Sequence, residues 1–176
     1  MDESIALMGF KACGKSTVGK ALAKSLGWPF LDLDRAIETA HSAEYHEFLT
    51  FREIFQKYGA PYFRQLEQFT LSQVTKNGRQ VIALGGGTLT EAKGEQYLSN
   101  TFLIYLEVRA EVLWERILRG GIPPFLRSDN PKLTFEQLLL QRSAVFRQLA
   151  HLVVDNSDRD PDQVVDEILE ILNSKH

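Results

Sequence analysis

A chain of 176 residues, 44% hydrophobic and 24% charged with a formal net charge of -3, is long enough to bury about 70% of its unfolded surface in one domain. Mild acidity argues against a broad nucleic-acid surface, the single cysteine, Cys13, excludes an internal disulfide, and no apolar run reaches the roughly 18 residues a membrane span needs. Residues 1–4 are acidic where a secretory signal would be basic, so a reducing, cytoplasmic setting is expected, with a monomer as the default and no nucleic-acid or membrane partner.

Short apolar runs alternate with amphipathic stretches from end to end, without repeats or Gly/Ser linkers. This pattern predicts a single α/β domain over 1–176 with a five-stranded, mostly parallel sheet buried on both faces. The first run, Ile5–Met8, leads into Gly9-Phe10-Lys11-Ala12-Cys13-Gly14-Lys15-Ser16, a Gly-x4-Gly-Lys-Ser match placed after a strand and before a helix over Thr17–Leu26. Glycines there let backbone N–H groups close on phosphate oxygens, and the helix N-terminus adds partial positive charge. Lys15 would reach the β- and γ-phosphates, and the Ser16 hydroxyl would serve Mg²⁺. Cys13 reads as a small neutral filler of which only the backbone is used.

The second strand, Phe30–Leu33, carries Asp32 and Asp34 at its carboxyl end, where open α/β sheets bind ligands. Strand alternation would put both carboxylates on one face. One could orient a magnesium shell through water and one could accept a proton, although capping of the next helix would also suit them, Asp34 especially. Residues 35–76 are too long for one crossover helix and predict an inserted helical layer. Within it, His41–Thr50 reads as a solvated loop or helix end, and Arg64 and Glu67 stand three apart, the spacing of an ordinary surface ion pair. The third strand, Val81–Leu84, ends in Gly85-Gly86-Gly87, which points to close approach of a ligand to the backbone.

The fourth strand, Thr101–Leu106, precedes a helix over Ala110–Leu118, with Trp114 as packing. Loop chemistry fills Arg119–Pro131 and predicts a mobile lid. A helix over Phe135–Ala150, His151 as packing, a fifth strand over Leu152–Val154 and a helix over Pro161–Asn173 complete the chain.

Four motifs in order, the loop at 9–16, Asp32-x-Asp34, Phe63-Arg64-x-x-Glu67 and Gly85-Gly86-Gly87, resemble shikimate kinases over about residues 4–172. The resemblance implies a three-layer α/β/α P-loop kinase fold with strand order 2-3-1-4-5 and transfer of the γ-phosphoryl of ATP to the 3-hydroxyl of shikimate, with Mg²⁺ as cofactor. It implies catalytic roles for Lys15 and Asp34, and nucleotide contacts from Gly9, Lys11, Ala12, Cys13, Gly14, Lys15, Ser16 and Thr17. Arg116, Arg159 and Pro161 fall where the family contacts the base, though alone the arginines would pass as solvated charges. Asp34, Arg64, Gly85, Gly86, Gly87 and Arg142 match the substrate-binding positions, which reverses the bland reading of Arg64. Ser16 and, through water, Asp32 match the metal positions.

The chain departs from the family at the lid, where an Arg-Pro-Leu-Leu-like stretch is replaced by Pro123-Pro124-Phe125-Leu126. The lid arginine is missing, and Arg119 and Arg127 are the nearby candidates to supply its charge. Two rivals stay open at this stage. A gluconate or nucleotide kinase would be separated by its acceptor, and a non-catalytic nucleotide binder is disfavoured because it has no use for Asp34.

Overall fold

A computed structural model describes residues 3–91 and 93–174. Its sheet is fully parallel in the order β2-β3-β1-β4-β5, formed by β1 (Ser4–Met8), β2 (Phe30–Asp32), β3 (Val81–Ala83), β4 (Thr101–Glu107) and β5 (Leu152–Asp155). The helices are α1 (Lys15–Leu26), α2 (Leu33–Tyr45), α3 (Phe51–Val74), α4 (Ala110–Gly120), α5 (Pro131–Leu149) and α6 (Pro161–Ser174). Short 3₁₀ turns stand at Gly94–Tyr97 and Pro124–Leu126. Among the described residues no helix is long and apolar enough to cross a membrane.

Continuous apolar runs make these strands because both sheet faces are covered. In β1, Ile5 and Leu7 face a core with Val18, Leu22, Leu113, Val164 and Ile168, whereas Ala6 and Met8 face a second core with Leu33, Ile37, Leu71 and Phe146. The pairing register Ile5↔Val81 and Ile5↔Phe102 keeps neighbouring strands in phase, so each face presents one apolar surface. Helices α1, α4 and α6 lie over the first core, and α2 and α3 over the second.

Several boundaries differ from the sequence reading. β2 stops at Asp32, whose side chain accepts the Asp34 N–H and caps α2, so Leu33 and Asp34 are helical. Asp34 therefore sits beside Asp32 through a helix turn and not through strand alternation, and Asp32 is the capping residue. α5 starts at Pro131, where Asn130 accepts the Leu133 N–H, and Arg119 stands in the last turn of α4, so the segment between the two helices is shorter than the 119–131 expected of a lid. The inserted layer is a pair of helices; α3 opens with a capping box between Thr50 and Glu53 and breaks at Gly59 (φ 82) before Pro61.

The stretch from His41 is not solvated at its start. His41 is completely buried, its Nδ1 is 2.9 Å from the Tyr62 hydroxyl, and its ring stacks on Tyr45 at 5.0 Å with Tyr58 on another side. α2 and α3 are thus joined by an aromatic box. Trp114 packs against Phe135, and His151 stacks on Phe102 while its Nδ1 accepts the Leu103 N–H.

The central strands carry the stability. Ile104→Ala, at a fully buried site in β4, should lower unfolding free energy by about 2–5 kcal/mol. Leu140→Ala on exposed α5 surface should change it by less than about 0.5 kcal/mol. Urea unfolding with an unchanged slope is the measurement.

Candidate active site

The loop from Gly9 to Ser16 joins β1 to α1 at the carboxyl edge of the sheet. A Cβ on Gly9 (φ +152) would lie 2.6 Å from Cys13 Sγ and 2.8 Å from the Leu106 carbonyl, so only glycine lets the loop leave β1 this close to β4. Ala12 (φ 67) and Gly14 (φ 102) are left-handed, which gives the loop the curvature of an anion nest. α1 has neither a side-chain cap nor an acidic residue in its first turn, whereas Asp32, Thr50 and Asn130 cap α2, α3 and α5. The α1 terminus is therefore left for an external anion.

Lys15 Nζ donates to the carbonyls of Gly9 and Phe10, both at 2.9 Å, across the loop. From beyond β5, Asn156 Nδ2 donates to the Cys13 carbonyl at 2.8 Å and pins the loop. Sequence reasoning missed Asn156; its signal is a polar residue directly after the carboxyl end of a strand. Ser16 Oγ donates to Asp32 Oδ2 at 2.9 Å, so two oxygens of the kind that suit a hard cation stand together beside the nest.

Asp34 enters from the first turn of α2. Burial pushes its pKa up from 3.8 to about 6, the neighbouring Asp32 adds to this, and Lys15 works against it. Glu67 also raises it. Lys11 lies on the same side: burial first and then Arg52 lower its pKa, while Asp34 raises it. A half-buried carboxyl poised near neutrality beside two lysines can take a proton and hold it.

Arg64 and Arg142 converge on the glycine loop. Arg64 Nη1 donates to Glu67 Oε2 at 2.6 Å, and Glu67, almost completely buried, accepts Thr88 Oγ1 on its other oxygen at 2.6 Å. The Arg64–Glu67 spacing therefore marks a buried support for Arg64 and not a surface pair. A Cβ on Gly87 would stand 3.0 Å from Arg64 Nη2, and one on Gly86 3.6 Å from Arg142 Nη1. Within the protein, the glycine run lies close to these arginines and, at Gly85, to Thr88 Oγ1, Asp34 Oδ1 and Glu67 Oε1. Sequence reasoning also missed Glu91, which accepts hydrogen bonds from both Arg64 and Arg142.

The 3₁₀ turn at Pro124–Leu126 packs over this end. Leu126 is fully buried, Pro123 is buried, and Phe125 meets Phe10 edge-on at 6.1 Å. The Arg142 guanidinium stands 5.5 Å from the Phe10 ring and 5.4 Å from that of Phe125. Arg127 follows the lid turn, is exposed, and makes no side-chain hydrogen bond or ion pair among the described residues.

Arg119 lies elsewhere. It pairs with Glu115 at 3.4 Å and borders an open depression of about 480 Å³ with Arg116, Arg159 and Pro161. Arg116 donates to the carbonyls of Asn156 and Ser157 at 2.9 and 2.5 Å, and Arg159 donates to Gln163 O at 3.0 Å and pairs with Glu167. The three residues expected at the base are therefore gathered in one place, with Arg119 beside them, in a depression that neither Arg64 nor Arg142 lines.

A family model described as "Shikimate kinase" matches residues 11–173. A shikimate kinase of Trichormus variabilis is 32% identical over 168 residues, covering 96% of this chain and 90% of that protein. One of Rhodopseudomonas palustris is 33% identical over 173 residues, covering 98% and 82%. The solved shikimate kinase of Acinetobacter baumannii in complex with shikimate superposes with a TM-score of 0.88 at 31% identity, covering 99% of this chain and 95% of that one. With the model matched from inside the phosphate loop into α6 and relatives similar along nearly the whole length, the chain belongs to the shikimate kinase family.

Proposed function

We propose that the chain is a shikimate kinase that moves the γ-phosphoryl group of ATP to the 3-hydroxyl of shikimate, releasing ADP and shikimate 3-phosphate. The observation that carries this reading is the convergence of Asp34 between the Lys15 phosphate loop and the paired guanidinium groups of Arg64 and Arg142. Two arginines recognise the acceptor carboxylate with parallel, charge-assisted hydrogen bonds. The Gly85–Gly87 backbone and Asp34 then hold the ring hydroxyls. The attacking oxygen forms a bond to Pγ as the bond to the β,γ-bridging oxygen breaks, and its proton passes to Asp34. Lys15 and the α1 N-terminus stabilise the charge on the phosphates.

Ser16 and, through water, Asp32 suit Mg²⁺, since their oxygens already stand together. When bound, the ion neutralises charge between the β- and γ-phosphates. Arg116, Arg159 and Pro161 receive the base, and the lid excludes water.

ADP release from Mg-ATP, assayed with shikimate, gluconate, nucleoside monophosphates or no acceptor, should be stimulated by shikimate alone. Stimulation by another acceptor, or by none, would overturn the reading. Asp34→Asn should keep ATP binding while transfer falls on the order of 10²–10⁴-fold. In the wild type, kcat/KM should rise with pH through a midpoint of about 6 as Asp34 ionises.

Because the folded pKa of Asp34 lies above 3.8, its ionised form burdens the fold. The burden is absent below 3.8, grows as pH rises toward about 6 and is complete above it, where it amounts to at most about 3 kcal/mol. Asp34→Asn should therefore raise Tm at pH 7.5 and leave it unchanged at pH 3.5.

For the missing lid charge we assign Arg127, which is free of side-chain partners among the described residues and follows the lid turn. Arg127→Ala should lower kcat at least about 10-fold with little change in KM, and Arg119→Ala should act on KM for ATP.

A further inference from the structure

The acceptor arginines are held by two carboxylates of different character. Glu67 comes from α3, its side chain only 2% exposed, and it is locked between Arg64 Nη1 and Thr88 Oγ1. Glu91 comes from the turn after the glycine run, its side chain 45% exposed. Its N–H donates to the Gly87 carbonyl at 2.8 Å, and a Cβ on Gly87 would stand 3.2 Å from Glu91 Cδ and 3.0 Å from Arg64 Nη2. One oxygen, Oε2, accepts from Arg64 Nη2 and the other, Oε1, from Arg142 Nη2. A single carboxylate thus bridges both guanidinium groups in the two-point manner in which an incoming carboxylate would be held.

We propose that Glu91 is an internal stand-in for the acceptor's carboxylate, holding Arg64 and Arg142 together and giving way when a carboxylate-bearing acceptor binds. This inference rests on the functional reading above. Two guanidinium groups converging on one point repel unless an anion lies between them. Glu67 balances one of the two charges and Glu91 the other. Glu67 is sealed in, so Glu91 is the partner that can leave.

The exchange makes the residue a determinant of specificity. An anionic acceptor replaces one carboxylate with another and leaves no guanidinium unpaired. A neutral polyol must either dock with Glu91 still across the arginines or strand two charges, and both are unfavourable. Affinity for the correct acceptor is lowered by the contacts Glu91 gives up, and a neutral acceptor loses more.

The test is steady-state kinetics of Glu91→Gln, with Glu91→Ala as a second variant should the amide keep a neutral hydrogen bond. KM for shikimate should fall about 3–10-fold in both, the scale of partly exposed ion pairs. The change should lie in KM rather than kcat, with KM for ATP unmoved. Shikimate should also raise Tm more in the variants than in the wild type. An unchanged or increased KM for shikimate would overturn the proposal, an increase meaning that Glu91 stays on the arginines and positions them. Wild-type turnover in the same assay separates the two levels. No turnover of shikimate by the wild type overturns the functional reading together with this inference, whereas turnover with an unmoved KM in both variants overturns the role of Glu91 alone.

Discussion

The open N-terminus of α1 is the constraint around which the rest of the site is arranged. A helix start without a side-chain cap has donors to offer, and here contacts within the protein shape the loop that precedes it. Gly9 lets the loop pass β4, Asn156 holds the Cys13 carbonyl, and Lys15 spans the carbonyls of Gly9 and Phe10. The Lys15 contacts are local, but the approach to Leu106 and the Asn156 contact come from β4 and from beyond β5, so the full set forms only once the parallel sheet has its final order. These contacts preorganise the loop.

Around that positive cradle, acids and bases are distributed by depth. Asp32 is tied to Ser16 and to the start of α2, which makes it a fixed oxygen donor. Asp34, two residues further and half-buried, has its pKa raised to about 6. Two carboxylates two residues apart acquire different chemistry because one is satisfied by local hydrogen bonds and the other faces burial and its neighbour's charge. Glu67, buried and bonded on both oxygens, is a support for Arg64.

How much of this the amino-acid sequence displays depends on the range of the interaction. The strands are legible because parallel, doubly covered strands are continuous apolar runs, and the phosphate loop because its residues are contiguous. Asp32 and Asp34 are legible as a pair, although the geometry that joins them is a helix cap and not a strand. The start of α5 is obscured by its polar first turn of Pro131, Lys132 and Thr134 with an exposed Leu133. The burial of His41 depends on Tyr58 and Tyr62 from another helix, and nothing local announces it. Asn156 lies 143 residues from Cys13, and Glu91 lies 27 and 51 residues from its two arginines. Such partners are set by topology, which a linear reading supplies only once the strand order is known.

The position of Arg142 between Phe10 and Phe125 joins three parts of the molecule that a kinase has to coordinate. One ring belongs to the Gly9–Ser16 loop, the other to the 3₁₀ turn at Pro124–Leu126, and the guanidinium between them also meets Glu91. Displacing that turn would remove one wall of the stack, and a shift of the arginine would disturb both rings. On the proposed function, nucleotide and acceptor would address one shared element, and linkage would make any effect mutual: whatever one ligand added to the affinity of the other would be returned in equal measure. Such coupling would run through two phenylalanines and one arginine and would need no second conformation of the sheet.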